Sequence, residues 1–237
     1  MENEAFYQEQ FQNVNRRIRE AALRSGRRPE EVTLLSVTKT QPVEVMEIAW
    51  KLGMRVAGEN HVQEILTKKR YFGDRLAFHM IGHLQRNKVR QVLGQVELIH
   101  SLDSLRLARE IDRAAEEMGI CPKVLIEINV AGEEGKYGIR PEELPQMLEQ
   151  LAQLKCLQVE GLMTVAPFVE DPEQNRGVFR ELHQLFIDNR SISSDNIRMN
   201  VLSMGMTNDY TVAVEEGATL VRVGTGLFGA RHYTAAV

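Results

Sequence analysis

"VTLLSVTKTQPVEVMEIAWKLGMRVAGEN", residues 32–60, is the stretch on which the fold turns. Val32–Lys39 is a short apolar run. Pro42–Gly53 is a longer amphipathic run that closes on glycine, as helix C-termini tend to. Arg55–Asn60 is a second short apolar run. Strand, helix and strand in that order make a βαβ unit and predict parallel pairing.

The rhythm repeats along the chain. Further short runs are Leu76–Gly82, Val96–Leu102, Lys123–Val130, Gln158–Val165, Met199–Gly205 and Thr219–Gly229, which brings the count to eight. Helix-like segments such as "DSLRLAREIDRAAEEMG", "RPEELPQMLEQLAQLK" and "DPEQNRGVFRELHQLFIDN" lie between them. The expected fold is α/β, a single (β/α)8 TIM barrel. Its weak links are the third unit, whose helix around Gln85–Leu93 is short, and the eighth, where "GLFGARHYTAAV" is too brief for a full helix. An open doubly wound sheet is the alternative. Before the first strand, Tyr7, Phe11, Val14, Ile18, Ala22 and Leu23 recur at helical spacing until "SGRRPEE". Residues 1–28 are therefore expected to add an N-terminal helix packed on the barrel, and no linker divides residues 1–237.

Composition narrows the function classes. Of 237 residues, 43% are hydrophobic and 26% charged, enough for a sizeable core. A net charge of −4 argues against a nucleic-acid footprint. The basic runs Lys68–Arg70 and Gln85–Arg90 read as solvated helix faces. Cys121 and Cys156 stand outside any CxxC pair, so they read as small apolar residues of a reducing cytoplasm rather than metal ligands. The charged N-terminus is unlike a signal peptide, and no run of about 18 apolar residues suggests a membrane span.

A barrel places its active site at the C-terminal ends of its strands. Here those ends are polar and glycine-rich. Lys39 ends the first strand on the same face as Leu35 and Val37, where partial desolvation favours the neutral, nucleophilic amine. The seventh strand closes on "SMGMTND", with the Ser203 and Thr207 hydroxyls, and the eighth on "VRVGTGLFG", with Gly224, Thr225 and Gly226. Paired turns of this kind form an anion nest, and a phosphate site after strands 7 and 8 recurs among barrels. Arg222 alternates with Val221 and Val223, so it faces opposite to them and can enter the mouth. A Schiff-base lysine, a phosphate nest and an inward arginine suit a phosphorylated aldehyde such as pyridoxal 5′-phosphate (PLP).

"SVTKTQP", "GENHVQE", "HMIGHLQRNK", "GEEGKYGI", "GLMTV" and "LSMGMTNDYTVAVEEGATLVRVGTGLFGAR" together resemble the pyridoxal phosphate homeostasis proteins, which include the proline synthetase co-transcribed homologue. The resemblance runs from about Val32 to Arg231 and implies the fold type III barrel found at the N-terminus of alanine racemase. By position it implies Lys39 as the Schiff-base lysine. Ser203, Gly205, Gly224 and Thr225, with the backbone of Met206, would hold the phosphate, and Arg222 would meet the pyridine nitrogen. Asn60 and His79 would stand at the mouth near the cofactor. Lys136 resembles a lysine that could accept the aldehyde secondarily. Gln41 departs from the pattern, because many members carry a further lysine there.

Two functions from different classes follow. One is a cytoplasmic, monomeric carrier that holds PLP on Lys39 as a Schiff base and exchanges it, without enzymatic turnover; PLP-dependent apoenzymes are its candidate recipients. The other is a PLP-dependent racemase or decarboxylase. Racemase relatives add a second domain with an opposite-face base, and nothing in residues 232–237 suggests one. Neither Tyr137 nor Tyr210 is placed opposite Lys39 by the sequence. A Schiff-base aldolase acting on a sugar phosphate shares the lysine and the nest but leaves Arg222 unexplained. The resemblance and the inward arginine favour the carrier.

Overall fold

In the computed structural model, which describes residues 2–192 and 194–229, parallel strands close into a barrel in the order β1 to β8. The strands are β1 Thr33–Val37, β2 Val56–Glu59, β3 Ala77–Met80, β4 Leu98–Leu102, β5 Lys123–Glu127, β6 Gln158–Met163, β7 Ile197–Ser203 and β8 Leu220–Val223. Seven lie within the apolar runs expected for them, and β7 begins two residues before its run, at Ile197. Closure is made by β1 against β8, with Leu35 opposite Arg222 and Ser36 opposite Val223.

The helices follow the same alternation. After α1 (Glu2–Arg24) come α2 (Val43–Lys51), α3 (Val62–Phe72), α4 (Val89–Val92), α5 (Leu105–Met118), α6 (Leu144–Leu151), α7 (Arg176–Asp188), α8 (Tyr210–Glu215) and α9 (Thr225–Phe228). The expected weak units are short: α4 and α9 have four residues each. In α5 the pattern is plain. Ser104 caps its N-terminus by accepting from Leu107 N at 3.3 Å, and Gly119 ends it in the left-handed conformation. Between them Leu107, Ala108, Ile111, Ala114 and Ala115 turn to the strands.

Two apolar layers result. The large one lies between strands and helices and includes Ile65, Phe72, Phe78, Ile99, Phe179 and Leu182. The small one joins Leu98, Leu125 and Met163, with Val201 packed against them. Met163 stands level with the buried polar residues Glu127 and Ser203 on the neighbouring strands. Gly161 on β6 has φ +147°, and a Cβ there would fall 1.9 Å from the Val201 carbonyl oxygen. Only glycine lets β6 and β7 approach through this register irregularity.

Helix α1 buries Phe11, Val14, Ile18, Ala21 and Ala22, whereas Leu23, expected on that stripe, is 56% exposed. Leu23 sits one position beyond the stripe that Ala22 completes. α1 packs on α8 and α9. Phe11 meets Phe228 edge-on at 6.2 Å, and Arg17 lies over the Tyr210 ring at 5.5 Å. It thereby backs the wall of the cavity described next, since Phe228 also faces that cavity. Among the described residues no helix is long and apolar enough to cross a membrane.

Candidate functional site

A cavity of about 650 Å³ opens at the C-terminal ends of the strands. Val37 lines it from the end of β1 and Lys39 from the turn that follows, Asn60 from the end of β2, and Ile81 from the end of β3. Val165 and Phe168 form its rim after β6; Phe168 is 87% exposed. Met206, Thr207 and Asp209 follow β7, and Arg222, Gly224 and Thr225 complete the wall at β8. Gln41 also lines the cavity, so an amide stands where a second amine was at issue. Six of the nine residues expected to contact the cofactor thus share one cavity, Lys39, Asn60, Met206, Arg222, Gly224 and Thr225, and Thr207 lines it with them.

Arg222 is buried, at 4% exposure, yet reaches the cavity wall. Its Nη1 donates to Ser203 Oγ at 2.6 Å and its Nη2 to the Thr164 carbonyl at 2.7 Å. Burial lowers its pKa to about 10, opposed by the charges of Glu127 and Asp209, so it remains a cation at neutral pH. Beneath it runs a chain that crosses the barrel interior. Ser203 Oγ lies 3.0 Å from His100 Nδ1, and His100 Nε2 lies 2.9 Å from His79 Nδ1. Burial keeps both rings neutral: it draws His79 down to about 4, and with His79 and Arg222 nearby it holds His100 well below its ordinary value. An arginine can only donate. The Ser203 oxygen has a second lone pair, so two tautomer sets satisfy the chain: Ser203 O–H donates to His100 Nδ1 and His100 Nε2–H to His79 Nδ1, or both bonds run the opposite way.

This geometry relocates two expected residues. Ser203 sits below the Gly224–Thr225 turn as the acceptor under Arg222, and His79 ends the interior chain; neither lines the cavity. Register explains both, since inward positions one step down a strand face the barrel core and not its mouth. The hydroxyls at the turns belong instead to Thr207 and Thr225. Thr207 Oγ1 accepts from Gly224 N at 3.3 Å and Gly226 N at 3.2 Å. A Cβ on Gly226 would lie 3.0 Å from Val223 Cγ1, and one on Gly224 would lie 3.3 Å from Val37 Cβ. Gly205, at φ +88°, passes close to α8, and its carbonyl accepts from Arg222 N at 3.0 Å. Asp209 pins the loop by accepting from Met206 N at 2.7 Å and from Asn175 Nδ2 at 2.8 Å.

Several contributors had weak sequence signals. His100 and Glu127 are polar residues at inward positions of otherwise apolar strands, and that alternation was readable. Glu127 is buried, and burial with Asp103 nearby raises its pKa to about 7, partly offset by Arg222. Lys68 corrects the reading of "KKR" as a solvated face. It is 5% exposed, and its Nζ lies 2.8 Å from Glu59 Oε1 and 2.8 Å from Glu64 Oε2. Its partner Glu59 stands on another element, which spacing alone cannot reveal. Lys136 pairs with Glu133 on the loop after β5, and neighbouring Tyr137 stacks on His83 at 3.9 Å. Neither lines the cavity. Tyr210 is buried in α8. Tyr233 lies outside the described residues, as does Arg231.

Comparisons with known proteins agree with this architecture. Residues 10–232 match the family model described as alanine racemase, N-terminal domain. The pyridoxal phosphate homeostasis protein of Aquifex aeolicus is 45% identical over 95% of this chain and 98% of its own. PipY of Synechococcus elongatus, solved with PLP bound, is 37% identical with a TM-score of 0.77, over 89% of this chain and 98% of that one. An alanine racemase of Clostridium difficile, 17% identical, covers 99% of this chain and 58% of that one at a TM-score of 0.68, and shares the fold alone. The chain belongs to the alanine racemase N-terminal domain family, and within it to the pyridoxal phosphate homeostasis proteins.

Proposed function

We propose that this chain binds pyridoxal 5′-phosphate in the barrel-mouth cavity and serves intracellular PLP homeostasis, with Lys39 as the covalent anchor. The observation that carries the reading is the convergence of Lys39, Arg222 and the Gly224–Thr225 turn on one cavity of about 650 Å³. The residues present fit the group. A glycine turn that a Cβ would crowd gives room for a close-approaching anion, with the Thr207 and Thr225 hydroxyls beside it. A buried guanidinium gives a donor for an aromatic nitrogen. An amine just past the end of the neighbouring strand β1 gives a nucleophile. When bound, PLP supplies an aldehyde that condenses reversibly with amines and a ring that withdraws electrons.

The chain's own residues then divide the work. Gly224, Thr225 and the backbone of Met206 hold the phosphate, with Gly205 shaping the turn behind them. Arg222 donates to the ring nitrogen, and its charge opposes protonation there. Ser203 and His79 act through Arg222, by way of the interior chain. Asn60 borders the site beside Lys39. An arginine at the nitrogen leaves the ring a poor electron sink, which favours holding and exchange over chemistry at an amino-acid Cα. Tyr137 and Tyr210 are engaged elsewhere, which weakens a two-base racemase reading. The free thiols Cys121 and Cys156 suit a reducing cytoplasm. We infer a monomer built as one unit, with α1 sealed onto the barrel.

The test is a titration. PLP added to the purified protein should give a saturable absorbance band near the visible edge, and Lys39→Ala should abolish it. A wild-type protein that shows no band with PLP would sink the reading. Incubation with a panel of L-amino acids separates carrier from enzyme: turnover above roughly 1 s⁻¹, the range of dedicated enzymes, would overturn the carrier.

A further inference from the structure

Lys39 lies in a turn whose next residue, Thr40, is strained. Gln41 N donates to Thr38 O at 2.9 Å, which makes residues 38–41 a tight turn with Lys39 and Thr40 at its centre. Thr40, the third residue, has φ +67°, the only positive φ of a non-glycine residue among the described ones. That place in a type II turn favours glycine, and a β-branched residue is strained there.

A buried ion cluster holds the turn from behind. Lys68 Nζ donates to the Thr38 carbonyl at 2.9 Å, to Glu59 Oε1 at 2.8 Å and to Glu64 Oε2 at 2.8 Å, which uses all three ammonium protons. Glu64 Oε2 also accepts from Thr40 N at 2.8 Å, and Glu59 Oε1 accepts from Thr38 Oγ1 at 2.5 Å. Thr38 C=O belongs to the peptide unit before the Lys39 Cα, and Thr40 N–H to the unit after it. One cluster therefore grips both peptide planes that set the direction of the Lys39 side chain. The arrangement is costly. Lys68 and Glu59 are both buried, and Glu59 Oε2 is buried with no hydrogen-bond partner among the described residues. Stability alone does not account for retaining it, since a buried ion pair is weak evidence for stability.

We propose that Lys68, with Glu59 and Glu64, is a positioning group for Lys39: it holds the strained 38–41 turn so that the amine stands in the cavity. The consequence for PLP rests on the cofactor reading above, whereas the control of Lys39 itself does not.

The test uses the full chain with Lys68→Met and Glu59→Gln combined, which removes both buried charges together and avoids stranding one. Two quantities are read. The first is the competitive acetylation rate of Lys39 in cofactor-free protein, followed by peptide mass against the exposed lysines. The second is PLP affinity by absorbance, with thermal unfolding as the control for folding. We expect Lys39 labelling to change and PLP affinity to fall, each about tenfold, the scale of one lost charge-assisted hydrogen bond. Adding Thr40→Gly, which relieves the turn without the cluster, should bring both back to within about threefold of wild type. A folded double variant with wild-type labelling overturns the proposal, and so does a labelling change that Thr40→Gly leaves untouched. A wild type that fails to bind PLP while the labelling result holds would count against the cofactor reading alone.

Discussion

Glu127→Gln isolates the electrostatics of the barrel interior. Glu127 ends β5, is 8% exposed, and shares the polar interior with Arg222. Burial raises its pKa from 4.5 to about 7, with Asp103 adding and Arg222 subtracting. Between those two values the folded protein keeps a proton that the unfolded chain has released. Stability therefore falls as pH rises through this window, and the loss is complete above it. Each pKa unit is worth about 1.4 kcal/mol, so the loss is about 3 kcal/mol. Glutamine keeps the shape and does not titrate. The perturbed histidines run the other way: His79 and His100, held neutral, cost stability as pH falls below 6.5. They are common to both proteins and cancel in the difference. Urea unfolding of wild type and Glu127→Gln at closely spaced pH values from 4.5 to 8 reads that difference. The variant should gain on the wild type by about 3 kcal/mol across the range, with most of the gain between pH 5 and 7. Parallel stability curves would refute the reasoning, because they would mean that Glu127 is as well solvated folded as unfolded.

Two further substitutions probe the frame and the anion turn. Gly161→Ala places a Cβ 1.9 Å from the Val201 carbonyl at φ +147°; it should cost at least about 3 kcal/mol in urea unfolding, and a cost under 1 kcal/mol would contradict the close approach of β6 and β7. Thr207→Val removes the oxygen that accepts from Gly224 N and Gly226 N. It should weaken PLP about tenfold and leave unphosphorylated pyridoxal unchanged; equal losses for both ligands would take Thr207 out of the phosphate end.

The barrel was readable because parallel strands buried on both faces leave continuous apolar runs, and all eight runs carry strands. Lys39, Arg222 and Gly224 were readable for a related reason: each breaks the apolar pattern at a strand end, where a barrel gathers its chemistry. What stayed hidden depends on contacts between elements. Lys68 looks like any surface lysine until α3 is docked over Glu59, and the strain at Thr40 is a backbone angle with no signature in a threonine. Ser203 and Thr207 are equivalent as hydroxyls in "SMGMTND". Only the register of β7 sends the first under Arg222 and leaves the second at the turn.

The central claim is that Lys39 is where the cofactor attaches, and chemical trapping tests it most directly. Protein incubated with a slight excess of PLP is reduced with borohydride, digested, and mapped by peptide mass. About one phosphopyridoxyl group per chain is expected, on the peptide that contains Lys39. Label spread over exposed lysines such as Lys51 and Lys155, with Lys39 unmodified, would contradict it.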